Sequence, residues 1–245
     1  MRVVDLGLIA YRDAWRLQEA LATRLRLGED ETLLLLEHPH VFTIGRRGTL
    51  ANLTVPLDEL RALGASLYRV DRGGDITYHG PGQLVAYPIV DLERRGGDVV
   101  GFVRALEDAI IRVAGELGVA ARRVEGRTGV WATLPAGPPA KLAAIGVRVA
   151  RGVTTHGLAL NVTTDLAWFG RMVPCGFPHA VASFERLGVA ITVAEVKPRL
   201  AAALADALGT SAVYVPRLAP TRDDEIRLEA PVRDAADLLR QGAPV

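Results

Sequence analysis

Hydrophobic and polar positions change period repeatedly along the chain, and each change marks an element. Residues 3–6 are a short apolar run of strand length. Residues 10–27 follow with helical spacing, placing Tyr11, Ala14, Trp15, Leu21, Ala22 and Leu25 on one face, and Gly28 ends the run. Residues 32–37 are continuously apolar and predict a strand, which His38-Pro39 breaks. Residues 41–44 prolong the sheet up to a basic turn, Gly45-Arg46-Arg47-Gly48. Pro56 in a first turn and Gly64 beyond the last bracket a short helix over residues 56–63. A strand at residues 67–70 comes next, then a loop over 72–75, then extended segments at 76–78 and 83–90.

Asp98 caps a long amphipathic helix reaching Leu117, with Val99, Phe102, Val103, Leu106, Ile110 and Val113 turned inward. Strands are predicted at residues 123–124, 129–133, 141–150 and 154–162. Within the third of these, Ala143, Ile145, Val147 and Val149 alternate with smaller or charged residues, the pattern of one buried face. Thr192-Val-Ala-Glu195 has the form of a capping box opening the last main helix, which Gly209 closes and Pro198 should kink or restart.

Runs of strands interrupted by a few helices, without strict βαβ alternation, predict an α+β fold. Its centre is a mixed sheet flanked by helices. No repeat or linker divides the chain, so residues 1–209 are expected to form one main domain. Residues 210–245, richer in Pro, Arg and Asp, form a C-terminal extension of unassigned role.

A chain of 245 residues buries a sizeable core without disulfides or metals. The net charge of +1 gives no global attraction to nucleic acid or anionic membrane. No apolar run reaches the roughly 18 residues needed to span a bilayer, and the N-terminus lacks the pattern of a secretory signal. One cysteine forms no internal disulfide, so a soluble cytoplasmic protein is expected. One Cys and five scattered His give no zinc-ligand spacing, and no metal or other cofactor is expected. The Arg46-Arg47 and Arg122-Arg123 pairs are solvated surface or a docking patch for an acidic partner, not a nucleic-acid site.

Three segments carry candidate chemistry. Residues 72–83 hold four glycines and a proline in twelve positions, a frame that permits close ligand approach and offers Arg72, Tyr78, His79 and Gln83 as polar groups. Taken alone this reads first as a tight hairpin loop, and it lacks the Gly-Lys-Ser/Thr ending of a phosphate-binding loop. Cys175 sits between Pro174 and Gly176 in a turn able to present a thiol, although a lone cysteine is commonly buried and inert. Lys141 opens an apolar strand and is either a surface lysine or the partner of that thiol. An ammonium there favours the thiolate, while desolvation favours the neutral amine and lets it shuttle a proton. The third segment is Thr155-His-Gly-Leu-Ala-Leu-Asn161, in which His156 is a base or a structural hydrogen-bonder, the latter being favoured.

These segments, in this order, resemble the lipoate biosynthesis octanoyltransferases (the LipB family). The matching pieces begin with residues 72–92 and Gly129-Val-Trp131. They continue with residues 141–149, residues 156–166 and Val173-Pro-Cys-Gly176, and the likeness runs from about residue 5 to 209. The resemblance implies the catalytic core of biotin and lipoate protein ligases and a Cys/Lys pair, Cys175 accepting the acyl group and Lys141 assisting it. It implies an acyl pocket of Arg72, Gly73, Gly74, Asp75, Ile76, Thr77, Tyr78, His79, Ala144, Ile145, Gly146, Gly157, Leu158 and Ala159. Small residues at 146, 157 and 159 are expected to leave room for an eight-carbon chain, and N–H groups near Lys141–Leu142 or in the glycine-rich loop to hold the oxyanion. The implied donor is octanoyl-acyl carrier protein. The implied acceptors are lysines of lipoyl domains of 2-oxoacid dehydrogenases and of glycine cleavage H protein. Leu142 and Ala144 depart from the family's usual Ile and Ser. The alternatives are an ATP-dependent lipoate or biotin protein ligase of the same fold and a non-catalytic acyl-binding protein.

Overall fold

The computed structural model describes residues 1–173 and 180–215. Eight of the described strands form one mixed sheet in the order β11-β1-β2-β6-β10-β9-β8-β7. They are β1 (Arg2–Leu8), β2 (Thr32–Glu37), β6 (Gln83–Ile89), β7 (Ala121–Val124), β8 (Arg127–Ala132), β9 (Ala140–Ala150), β10 (Val153–Asn161) and β11 (Val213–Tyr214). β1 runs parallel to β2 and β11, and the other pairings are antiparallel. A second sheet, β4-β3-β5, is built from β3 (Val41–Ile44), β4 (Ser66–Arg69) and β5 (Ile76–His79). The expected extension of the main sheet by residues 41–44 is therefore corrected. His38-Pro39 turns the chain out of β2, and β3 pairs with β4 and β5 instead.

Pleating explains why the central strands read as unbroken apolar runs. On β2, Leu33 and Leu35 enter the core beneath α3 (Val99–Glu116) and α4 (Val193–Ala207), whereas Leu34 and Leu36 enter the core beneath α1 (Tyr11–Arg26). β6 and β10 alternate in the same way: Leu84, Ala86, Leu158 and Leu160 on one side, Val85, Tyr87 and Ala159 on the other. Both faces are covered, so alternation in side-chain direction leaves no alternation in polarity. The small sheet has its own core, in which Phe42, Ile44 and Tyr78 meet Leu60 of α2 (Leu57–Ala62) and Trp168.

The long helix opens as expected, the Asp98 carboxylate accepting the Gly101 N–H at 2.9 Å. Its first turn overhangs the core, however, so Val99 is exposed rather than inward and Val103 only half-buried. α4 carries the full Thr192/Glu195 capping box and runs through Pro198 as a single helix. Pro198 forfeits one intrahelical hydrogen bond near the N-terminus, and the Val196, Leu200 and Leu204 stripe packed on the core holds the axis continuous.

Candidate active site

The glycine-rich loop bridges the two sheets, and backbone bonds fix its path. Gly73 N–H donates to Val147 O of β9 at 2.9 Å, Arg46 N–H to Arg72 O, and Arg47 N–H to Gly74 O. Arg72, predicted as a ligand contact, is buried and its guanidinium is engaged by the protein. It donates to Thr43 Oγ1 and O, Gly73 O and the Asp75 carbonyl at 2.7–3.1 Å. Asp75 in turn accepts from Ile76 N and Asn52 Nδ2, both at 2.6 Å. These two side chains lock the loop from within.

Strand alternation divides the predicted pocket residues. Ile76 and Tyr78 point into the small core, where Tyr78 stacks on Trp168 at 5.4 Å. Thr77 and His79 occupy the alternate positions of β5. On the main sheet the register pairs Ala144 with Ala159, Ile145 with Leu158 and Gly146 with Gly157. Ile145 and Leu158 face the α3/α4 core, and Ala159 the opposite side. The space expected at Gly146 and Gly157 is taken by protein, which corrects the reason given for those glycines. A methyl on Gly146 would lie 2.8 Å from Gly73 O, and one on Gly157 would collide with Ala86 O and come within 2.8 Å of Pro88 Cδ. Gly146 admits the loop, and Gly157 admits the neighbouring strand β6.

Periodicity in the sequence did not reveal a buried polar cluster between α1 and the loop. Asp71 accepts from His156 Nε2 at 2.8 Å and from Arg148 Nε at 2.9 Å. His156 has a left-handed φ of 58°, and its N–H donates to Gln18 Oε1 at 2.6 Å. Burial depresses its imidazole below the ordinary range against the pull of Asp71. The structural role favoured for His156 is what these bonds describe. Nearby, His38 Nδ1–H donates to Ile9 O at 2.8 Å and Nε2 accepts from Tyr87 O–H at 2.9 Å. Burial lowers the His38 pKa to about 4 and raises the phenols of Tyr11 and Tyr87.

Lys141 is half-buried at the start of β9, with Nζ 4.7 Å from the ring centre of Trp131. Trp131 is fixed from below: Glu107, fully buried, accepts from Arg104, Arg123 and Gly129 N–H of the same strand as Trp131 at 2.7–3.0 Å. The Lys141 backbone is paired on both sides with the chain returning from residue 180. Its N–H donates to Ala180 O at 2.8 Å and its carbonyl accepts from Ala182 N–H at 2.9 Å. That N–H is therefore engaged, which corrects its proposed use for an oxyanion. Asn161 Nδ2 donates to Ala182 O and Gln83 Nε2 to Asn161 Oδ1, both at 2.9 Å. Cys175 lies outside the described residues.

A mixed sheet with a second small sheet, a glycine-rich loop bridging the two and a lysine at the start of β9 together define a known class. The chain belongs to the lipoyl protein ligase A/B catalytic-domain family, whose model matches residues 10–205. It is 47% identical over 212 residues to an octanoyltransferase of Bacteroides fragilis, covering 83% of this chain and 96% of that one. An octanoyltransferase of Acidothermus cellulolyticus is 50% identical over 206 residues, covering 82% and 89%. The fold is shared with a bipartite lipoate protein ligase from Thermoplasma acidophilum, with a TM-score of 0.74 at 22% identity over 91% of this chain and 88% of that one. With relatives of this kind over four-fifths of its length, the protein is an acyltransferase enzyme.

Proposed function

We propose that this enzyme transfers an octanoyl group to a lysine of lipoyl domains, in the first step of endogenous protein lipoylation, by way of a thioester on Cys175. The octanoyl assignment rests on relatives named octanoyltransferase at about half identity along most of the chain. The thioester route is carried by one observation: the chain downstream of Cys175 re-enters the fold directly on the backbone of Lys141.

The chemistry suits that pairing. The Cys175 thiolate attacks the octanoyl carbonyl of an acyl carrier protein. A C–S bond forms, the carrier's C–S bond breaks, and the carrier leaves as a thiol on taking a proton from the Lys141 ammonium, which becomes the neutral amine. The neutral amine of a lipoyl-domain lysine, from a 2-oxoacid dehydrogenase or glycine cleavage H protein, then attacks the new thioester. Its C–N bond forms as the enzyme C–S bond breaks, and the amine proton passes to the departing sulfur or to Lys141. A thiolate serves as both nucleophile and leaving group, which an alkoxide does not. The Lys141 ammonium stabilises the thiolate and is itself held over the Trp131 ring. Burial of an octanoyl chain at roughly 0.8 kcal/mol per CH₂ supplies acyl affinity. The segments 72–79, 144–146 and 157–159 border its site, with Ile76, Tyr78, Ile145 and Leu158 behind them in the cores and the two glycines setting how closely loop and strands approach. The reaction belongs in a reducing cytoplasm, where a lone thiol persists.

Transfer of octanoate from octanoylated carrier protein to an isolated lipoyl domain is the test. Cys175→Ser and Lys141→Ala are each expected to lower it by at least 100-fold; a serine variant at full rate ends the thioester route. An ATP-dependent ligase remains the second reading because its fold is the same. Octanoate-driven ATP–pyrophosphate exchange would establish it.

A further inference from the structure

Two buried amides, Gln83 at the end of the glycine-rich segment and Asn161 on β10, form a directional chain. Ala182 O, a backbone carbonyl, only accepts, so Asn161 must present Nδ2 to it at 2.9 Å. Asn161 Oδ1 is then the acceptor facing Gln83, whose Nε2 donates to it at 2.9 Å and also to the Tyr78 carbonyl at 3.3 Å. Gln83 Oε1 therefore faces His79 Nδ1 at 2.8 Å, and His79 must donate from Nδ1. Two backbone carbonyls that cannot donate fix every orientation in this series.

All three side chains are more than nine-tenths buried: His79 is 6% exposed, Gln83 2% and Asn161 3%. Burial, reinforced by His38 and Arg72, keeps the His79 ring well below the ordinary histidine range and hence neutral. A neutral ring with its proton on Nδ1 carries a lone pair on Nε2. Among the described residues nothing hydrogen-bonds that atom. The ring is held parallel to Tyr11, with centroids 6.0 Å apart, and edge-on to His38 at 5.8 Å. Gln83 and Asn161 face each other across β6 and β10, where a pair of apolar residues would pack without buried polar atoms to satisfy. Asn161 also holds residues 182–184, its carbonyl accepting from Phe184 N–H at 3.2 Å, so the same series reaches the segment paired with Lys141.

We propose that Gln83 and Asn161 are positioning residues that lock His79 as the Nδ1–H tautomer, so that its Nε2 lone pair accepts a hydrogen bond from the attacking amine of the acceptor lysine. This role deepens the thioester reading and rests on it. His79 orients the amine and keeps its own proton; the amine proton still leaves with the Cys175 sulfur or on Lys141. A neutral acceptor that stays unprotonated across the working pH range discriminates in favour of the neutral, nucleophilic amine.

Long-range ¹H–¹⁵N correlation on the ¹⁵N-histidine-labelled wild-type enzyme tests the tautomer directly. The expected spectrum shows His79 with Nδ1 protonated and Nε2 bare from about pH 5.5 to 8. An Nε2–H tautomer, or titration within that range, overturns the proposal without any variant. Single-turnover transfer to a lipoyl domain from enzyme already octanoylated tests the role. Gln83→Met should slow it at least 10-fold, mainly in the rate constant at saturating lipoyl domain, and allow the second tautomer to appear in the spectrum. Transfer within twofold of wild type, from a folded variant, also overturns the proposal. If the wild type forms no octanoyl-enzyme at all, it is the thioester route that fails, and the wild-type spectrum still decides the tautomer.

Discussion

Replacing Gly157 by alanine tests how tightly β10 and β6 are packed beneath the site. The new methyl would collide with Ala86 O and sit 2.8 Å from Pro88 Cδ, and neither neighbour is the free end of a flexible side chain. Ala86 pairs with Leu158 in the middle of the main sheet, so relief requires the two strands to part. Overpacking of this kind costs about 1–3 kcal/mol. The lower entropy of the unfolded alanine chain offsets roughly 0.4–1 kcal/mol of that. A net loss of about 1–2 kcal/mol corresponds to a fall in Tm of roughly 2–8 °C for a chain of this size. Urea unfolding followed by tryptophan fluorescence is a suitable assay, because Trp131 is almost wholly buried. Gly115→Ala supplies the opposite sign: Gly115 is exposed on α3 with nothing within 4 Å of an added methyl, and should gain about 0.5–1 kcal/mol. If Gly157→Ala is as stable as the wild type or more so, the close approach of β6 at that position is wrong.

Glu107→Ala removes the acceptor of Arg104, Arg123 and Gly129 N–H. The expected loss is on the order of 2–3 kcal/mol by urea midpoint, below the range for fully buried pairs because both arginines reach water. A loss under 0.5 kcal/mol would contradict that support of β8. Stability should also fall with acid through His38. Its folded pKa of about 4 lies below its ordinary 6.5, so the unfolded chain takes up the proton first as pH falls. The contribution, on the order of 3 kcal/mol, is whole above about pH 6.5 and is lost towards pH 4. Urea midpoints between pH 7 and 4 should fall less steeply for His38→Gln than for wild type, and equal slopes would rule the assignment out.

Much of this fold was legible in periodicity and capping. The Asp98 and Thr192 caps and the face of Ile145, Val147 and Val149 followed from local chemistry that the structure retains. Residues 41–44 did not, because an apolar tetrad says nothing about which sheet it joins; the partners β4 and β5 come later in the chain. Gln18, Glu107 and Asn161 were missed for a related reason. Each is a polar residue in an apolar element, and its partners lie 138, 22 and 21 positions away. Gly146 and Gly157 stood out as small residues leaving room for an acyl chain, but that room is taken by the loop backbone and strand β6, which no local pattern announces. Arg72 stood out for its charge, yet its charge is spent within the loop.

The thioester on Cys175 is tested most directly by intact-mass measurement of the enzyme after brief incubation with octanoylated carrier protein and no acceptor. One octanoyl group should appear, map by fragmentation to Cys175, and disappear when lipoyl domain is added. An unmodified mass in the wild type, while acceptor lysines still become octanoylated in the complete reaction, would contradict it.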